Sequence, residues 1–178
     1  YLYDRHHHQS KWGLGAHQWA HIATRDFTTW HVFPMAIPIT EAWEGSICTG
    51  SVIRCGEKYY AWYAVRMCDG SPAKITAAVS DDLCHFTKAN TYFTLPPAYT
   101  PSARDPKVVY INGRYHMFVT TSLCKNGRGC LAHLVSEEMN VDSSSWQDVG
   151  PVFISGDQTQ PECPDYFRLG NYYYLVYS

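Results

Sequence analysis

The sequence predicts an all-β fold in which one small sheet is repeated along the chain, as in a β-propeller. Strand-forming residues are abundant, since aromatic residues make up 15% of the 178 residues and tyrosine alone occurs 14 times. Hairpin patterns recur around Gly56, Gly113 and Gly170, which lie 57 residues apart. No segment shows a sustained apolar period of about 3.6 residues, so helices are expected to be minor.

The clearest of these hairpins is centred on Asn112-Gly113. Asn-Gly is a strong hairpin signal because a type I′ turn requires positive φ angles at both central residues. The same apolar and aromatic pattern flanks all three glycines. The predicted strand pairs are residues 51–53 with 59–63, 108–110 with 115–119, and 166–168 with 172–175.

A second repeated landmark lies between the hairpins. Thr24, Ser80 and Ser136 lie 56 residues apart, and each is followed by an acidic turn. Together the landmarks give about four strands per unit, which fits a propeller blade better than a sandwich. We assign residues 1–40 to the rest of a first blade, 41–98 to a second, 99–155 to a third and 156–178 to the start of a fourth. That is about three blades, so the missing parts of the propeller are expected from the same parent chain.

Composition excludes several classes of partner. With 14 Lys and Arg against 16 Asp and Glu, the chain has no basic footprint for nucleic acid or for an anionic membrane. No stretch approaches the roughly 18 apolar residues of a membrane span. The seven cysteines form an odd set without a Cys-x-x-Cys pair, which argues against a zinc ribbon and favours a reducing, cytoplasmic location over secretion.

Two acids occupy the same position in consecutive units. Asp105 lies eight residues before Gly113, and Glu162 lies eight residues before Gly170. Because the innermost strands of all blades line one channel, side chains at equivalent strand starts are expected to converge there. Two neighbouring carboxyl groups suit glycoside hydrolysis, because their repulsion raises one pKa and keeps that group protonated. The alternative is that each acid only caps a turn.

Four segments, in order, resemble motifs of glycoside hydrolase family 32, the invertases, inulinases and levanases. Arg104-Asp105-Pro106 resembles the family's Arg-Asp-Pro motif, and Glu162-Cys163-Pro164-Asp165 resembles its Glu-Cys motif. Residues 43–51 are similar to the segment that ends Phe-Ser-Gly-Ser. Residues 17–27 are similar to the stretch usually written His-Trp-Gly-His-Ala.

The resemblance implies a five-bladed N-terminal propeller that hydrolyses β-fructofuranosyl bonds of sucrose, inulin or levan with retention. Glu162 would be the general acid/base, and Asp105 would stabilise the transition state by binding hydroxyls of the fructosyl ring. Arg104 would balance the local charge. The other expected contacts to the carbohydrate come from Trp12, Cys48, Thr49 and Asp165. No metal or cofactor is implied.

The resemblance also identifies what the chain lacks. The family nucleophile is an Asp in a Trp-x-Asn-Asp-Pro-Asn-Gly segment, and no segment here matches it. Residues 1–4 are similar to the strand that follows that segment, so the nucleophile is expected upstream of Tyr1. The 178 residues alone are therefore expected to be inactive.

Other interpretations remain open from sequence. A family 43-like propeller hydrolase acting on arabinan or xylan would also use channel carboxylates, and a levansucrase-like fructosyltransferase would share Arg-Asp-Pro. A catalytically silent sugar-binding propeller is a third alternative. The histidines at 6–8, 17 and 21 are interpreted as rim or loop residues, because an extended segment does not bring residues four apart, such as His17 and His21, close enough to share a metal. Cys163 is interpreted as a packing residue or as one that tunes the pKa of the neighbouring acid, because no histidine is positioned in sequence to activate it.

Overall fold

The computed structural model describes residues 2–4, 16–141 and 143–178. Within these ranges the chain forms four antiparallel sheets, and its helical content is a single 3-10 turn at Ser143–Ser145. The all-β prediction is confirmed, as is the minor share of helix. No helix in the described part of the chain is long and apolar enough to cross a membrane.

The four sheets follow one another along the chain. The first contains β1 (Leu2–Asp4), β2 (Ala16–Ala23) and β3 (His31–Ile37). The second contains β4 (Glu44–Cys55), β5 (Lys58–Met67), β6 (Lys74–Ser80) and β7 (Thr87–Lys88). The third contains β8 (Arg104–Ile111), β9 (Arg114–Ser122), β10 (Gly129–Ser136), β11 (Gln147–Asp148) and β12 (Phe153–Ile154). The fourth contains β13 (Asp165–Leu169) and β14 (Tyr172–Val176).

Each of the three predicted hairpins forms with a two-residue loop. The pairs that close the loops are Cys55 with Lys58, Ile111 with Arg114, and Leu169 with Tyr172. In the middle hairpin, Asn112 has φ 50° and Gly113 has φ 84°, as a type I′ turn requires. Successive strands therefore run antiparallel by short local connections.

The hydroxyl landmarks form the predicted turns at the ends of strands. The Thr24 hydroxyl accepts hydrogen bonds from the amides of Asp26 and Phe27, at 3.2 and 2.9 Å. Ser80 accepts from the amides of Asp82 and Leu83 in the same way, at 3.2 and 2.8 Å. The hydroxyl oxygen replaces a backbone acceptor, which allows the chain to turn sharply without leaving amides unsatisfied.

The hydrophobic core lies between neighbouring sheets. Trp62 of β5 and Trp146 pack edge to face, with ring centroids 5.4 Å apart, and join the second sheet to the third. A separate cluster that includes Ile37, Ile47 and Tyr63 joins the first sheet to the second. Face-to-face packing of successive sheets is the arrangement of propeller blades.

The first strands of the second and third sheets are also linked by one side chain. The Ser51 hydroxyl donates to the Pro106 carbonyl at 2.9 Å and accepts from the Val108 amide at 3.0 Å. The serine hydroxyl thus provides partners for two backbone groups beside the register shift between Arg104 and Lys107, where the β8–β9 pairing is interrupted. This link sets β4 beside β8 at the level of the acidic segments.

Gly50 is a point of close backbone approach in the second sheet. A Cβ atom at this position would lie 1.8 Å from the Trp62 carbonyl oxygen, which cannot move without breaking the β4–β5 pairing. We expect Gly50→Ala to lower the free energy of unfolding by about 3 kcal/mol, the upper range for overpacking. Urea denaturation measures this change. The control is Gly156→Ala, where no atom lies within 4 Å of the added carbon, and an equal loss there would contradict the steric explanation.

Candidate active site

Asp105 is presented by an irregularity at the start of β8. The β8–β9 register shifts between Arg104 and Lys107, and Asp105 has a φ of 54°. Asp is among the non-glycine residues that best tolerate this left-handed conformation. The Asp105 carboxylate is buried and accepts a hydrogen bond from the Cys163 amide at 3.1 Å. The bulge therefore directs this acid towards the segment that precedes β13.

Glu162 lies in that segment, next to Cys163. Its backbone exchanges two hydrogen bonds of 3.0 Å with Ser178, and the carbonyl of the preceding Pro161 accepts a bond of 2.7 Å from the Thr120 hydroxyl. These contacts fix the main chain, while the Glu162 side chain remains about half exposed, at 51%. The second acid is therefore held at a fixed place and is open to solvent.

Arg104 brings the two acids together. One terminal nitrogen of its guanidinium donates to the Glu162 carboxylate, and Nε lies 3.8 Å from the Asp105 carboxylate. The Arg104 side chain is only 10% exposed. Since a guanidinium is a small rigid plane, two carboxylates that meet the same plane lie close to each other. The two acids 57 residues apart in sequence thus share one cation.

Both carboxylates line one cavity of about 220 Å³. Of the residues predicted to bind substrate, Cys48, Thr49 and Arg104 also line it. Its remaining walls come from Cys163 and from three residues that were not predicted as part of the site, His17, Ser46 and Arg66. The cavity thus contains two acids and two arginines, whose side chains can exchange hydrogen bonds with the hydroxyl groups of a sugar ring.

Burial governs the ionisation of the groups around this cavity. It raises the pKa of Asp105, and the Arg104 guanidinium and the Cys163 amide only partly oppose that effect. Burial also raises the pKa of the Cys163 thiol, with the Asp105 and Glu162 charges acting in the same direction. A thiol kept protonated is a poor nucleophile, which argues against a nucleophilic role for Cys163. Cys163 is nevertheless exposed, so the structure does not make it a packing residue. Complete burial raises the pKa of Cys48 to about 11.

Asp165 lies in a neighbouring space. It forms an ion pair with Lys107 at 2.6 Å, and both residues line an adjacent cavity of about 250 Å³ that also reaches Asp105 and Cys163. Lys107 holds the pKa of Asp165 below its usual value. The Asp165 carboxylate also accepts a hydrogen bond from the Tyr166 amide at 2.8 Å, so Lys107 is its side-chain partner and a carbohydrate hydroxyl would have to approach this ion pair.

Three expectations concern the N-terminal segment. Trp12 and the histidines at 6–8 lie outside the described residues. His17 and His21 lie on β2, which is extended as the sequence indicated. Among the described residues, no three His, Cys, Asp or Glu side chains are grouped closely enough to hold a metal ion.

Sequence reasoning missed the residue that contacts Arg104 from the other side. The Gln160 amide oxygen accepts a hydrogen bond from Arg104, and its nitrogen donates to the hydroxyls of Ser102 and Ser122. The only available signal was the position of Gln160 two residues before Glu162. Arg66 also lines the cavity, and no residue at an equivalent position of the repeat indicated that it would.

Comparison with known proteins gives a consistent result. Residues 1–178 match the family described as glycosyl hydrolases family 32 N-terminal domain. The chain is 29% identical over 176 residues to sucrose-6-phosphate hydrolase of Bacillus subtilis, which covers 93% of this chain and 36% of that protein. It is 26% identical over 183 residues to raffinose invertase of Escherichia coli, covering 97% of this chain and 37% of that protein.

Solved structures share the fold. Sucrose-6-phosphate hydrolase of Lactobacillus gasseri superposes with a TM-score of 0.78 at 22% identity, over 90% of this chain and 34% of that one. Fructan 1-exohydrolase IIa of Cichorium intybus, solved with 1-kestose, gives a TM-score of 0.71 at 20% identity, over 86% of this chain and 30% of that one. The chain thus spans about a third of the length of the relatives it matches.

Proposed function

Because the chain belongs to glycosyl hydrolase family 32, we propose that the protein hydrolyses β-fructofuranosyl bonds with retention of configuration. The relatives named above include a sucrose-6-phosphate hydrolase, a raffinose invertase and a fructan 1-exohydrolase. These names favour sucrose-type or fructan-type substrates. The family 32 match over residues 1–178 does not favour the family 43 alternative.

The observation that carries the proposal is the contact of one guanidinium with two carboxylates inside one cavity. Asp105 is 6% exposed and Glu162 has a half-exposed side chain. An acid/base must reach the leaving oxygen and then a water molecule, so the exposed carboxylate suits that role. A group that binds ring hydroxyls in the transition state acts best when water is excluded, which suits the buried carboxylate.

The proposed steps use these residues as follows. Glu162, protonated, donates its proton to the glycosidic oxygen while a carboxylate nucleophile bonds to the fructosyl carbon and the glycosidic bond breaks. After the leaving sugar departs, the Glu162 carboxylate takes a proton from the water that attacks the fructosyl carbon and releases the nucleophile. Asp105 accepts hydrogen bonds from hydroxyls of the fructosyl ring, and Arg104 keeps both acids in place. The carboxylate nucleophile of a retaining mechanism is not assigned to any described residue.

Product analysis tests the reaction class. Because the 178 residues alone are expected to be inactive, the full-length protein is the one to assay. We expect it to release fructose from at least one of sucrose, sucrose 6-phosphate, 1-kestose, inulin and levan, and to leave arabinan intact. With methanol added, a retaining enzyme transfers the fructosyl group to give methyl β-fructofuranoside, which NMR identifies. Formation of the α-anomer would contradict retention. Binding of these sugars by calorimetry without any release of fructose would instead support the sugar-binding alternative.

A further inference from the structure

Arg104 has all three of its guanidinium nitrogens engaged. One terminal nitrogen contacts Glu162, and Nε faces Asp105. The other terminal nitrogen donates to the Gln160 amide oxygen and lies 3.4 Å from the Ser102 carbonyl. An arginine side chain carries about 2 kcal/mol of rotamer entropy, so its orientation requires contacts that oppose rotation. Those contacts come from the side of Arg104 that faces away from the two acids.

The orientation of the Gln160 amide is determined by its partners. An arginine has donors but no acceptor, so Gln160 must present its oxygen to Arg104. Its nitrogen then faces two hydroxyls, Ser102 at 2.9 Å and Ser122 at 2.6 Å. The arrangement therefore has one assignment of amide oxygen and nitrogen, and every polar atom of the Gln160 side chain has a partner.

The two serines are themselves held by buried structure. Ser122 is 5% exposed and ends β9, where its carbonyl accepts a hydrogen bond of 2.8 Å from the Thr100 amide. The Ser102 hydroxyl lies 2.9 Å from the Thr100 hydroxyl, which in turn lies 3.4 Å from that of Thr121. Gln160 thus connects Arg104 to a hydroxyl network on the third sheet.

We propose that Gln160 is a positioning residue, which holds the Arg104 guanidinium in the orientation that sets the Glu162 carboxylate against the leaving oxygen. This inference rests on the proposed function, because it assigns Glu162 to proton transfer. Gln160 acts through Arg104 and touches neither acid in the contacts described. Without it, Arg104 rotates, and the carboxylate that it holds loses its fixed position.

The test compares two substrates that differ in their need for a proton. Departure of a sugar alcohol from sucrose requires protonation, whereas an aryl β-fructofuranoside with an activated leaving group departs with little help. We expect Gln160→Met, which keeps the length but removes both hydrogen-bonding atoms, to lower kcat/KM for sucrose about 100-fold, the scale of a small misplacement. The ratio kcat/KM is compared because it reports the step in which the leaving group departs. The loss for the aryl substrate is expected to be about tenfold smaller, because its leaving group needs little protonation. Some loss is expected to remain, because the position of Asp105 also depends on Arg104.

Two further variants separate positioning from folding. Gln160→Glu keeps an acceptor for Arg104, and the serine hydroxyls can turn to donate to it, so the wild-type ratio of the two activities is expected to return. Gln158→Met is the matched control at an exposed position two residues away, where the ratio is expected to stay unchanged. If Gln160→Met does not fold, Ser122→Ala weakens the same support and is expected to move the ratio in the same direction.

The outcomes are distinct. If the full-length wild-type protein releases nothing from either substrate, the proposed function fails. If the wild type is active and Gln160→Met lowers both activities equally, the loss is structural and the positioning role is overturned. A Gln160→Glu variant with the same distorted ratio as Gln160→Met would also overturn it.

Discussion

Replacing Glu162 with glutamine is expected to lower kcat for sucrose by about 10²- to 10⁴-fold, the usual contribution of a general acid/base. Glutamine keeps the size and the acceptor oxygen that meets Arg104, but it cannot give a proton to the leaving oxygen or take one from water. The side chain is half exposed, so little packing is lost and the melting temperature is expected to change little. Steady-state kinetics on purified protein measures the effect.

Chemical rescue distinguishes the acid/base role from a binding role. In Glu162→Ala, added azide has room to attack the fructosyl-enzyme from the side that the carboxylate occupied, and β-fructosyl azide is expected as product. The matched control is Glu137→Ala, whose side chain is 80% exposed and pairs only loosely with Arg114 at 3.6 Å. Sucrose hydrolysis at the wild-type rate by Glu162→Gln would disprove the assignment.

Replacing Asp105 with asparagine is expected to lower kcat/KM by about 10²- to 10³-fold, the scale for removing one preorganised electrostatic contact to a transition state. Asparagine tolerates the left-handed backbone at this position and keeps an oxygen for the Cys163 amide. The change therefore removes charge without disturbing the bulge. Asp81→Asn serves as the control, because that side chain is 80% exposed.

The same variant is expected to be more stable than the wild type at neutral pH. Burial raises the pKa of Asp105 in the folded protein above its unfolded value. A raised pKa contributes stability below the unfolded pKa, and that contribution is lost as pH rises through the folded pKa. Asp105→Asn lacks this loss, so its advantage in melting temperature is expected to grow from acidic to neutral pH. A constant difference across that range would contradict the effect of burial on Asp105.

The repeated features of the fold could be predicted from sequence because they depend on local chemistry. Asn112-Gly113 favours the positive φ angles of a type I′ turn, and it forms the expected two-residue loop. Thr24 and Ser80 cap their own turns within three residues. Such interactions are encoded by neighbours in sequence, so their spacing reveals the repeating unit without knowledge of how the sheets pack.

The surroundings of the acids could not be predicted in the same way. Gln160 contacts Ser102 and Ser122 across separations of 58 and 38 residues, and these contacts depend on how the end of β9 meets the segment before β13. The positive φ angle at Asp105 coincides with the register shift between β8 and β9, so it too depends on how the strands pair. The sequence indicated that Asp105 and Glu162 occupy equivalent positions of the repeat. Tertiary packing decides which side chains contact them.

The network around Arg104 has a consequence for how the molecule responds to its ligand. Arg104 belongs to β8, whereas Gln160 and Glu162 belong to the segment that leads into β13, so the polar contacts of the site cross the seam between two sheets. A sugar bound to both acids would add a further connection between β8, which carries Asp105, and the segment before β13, which carries Glu162. Ligand present at 100 times its dissociation constant adds about 2.7 kcal/mol to the folded state. Bound substrate would therefore stabilise the contact between the two sheets reversibly. Local opening of the β13–β14 hairpin would become rarer while substrate is bound.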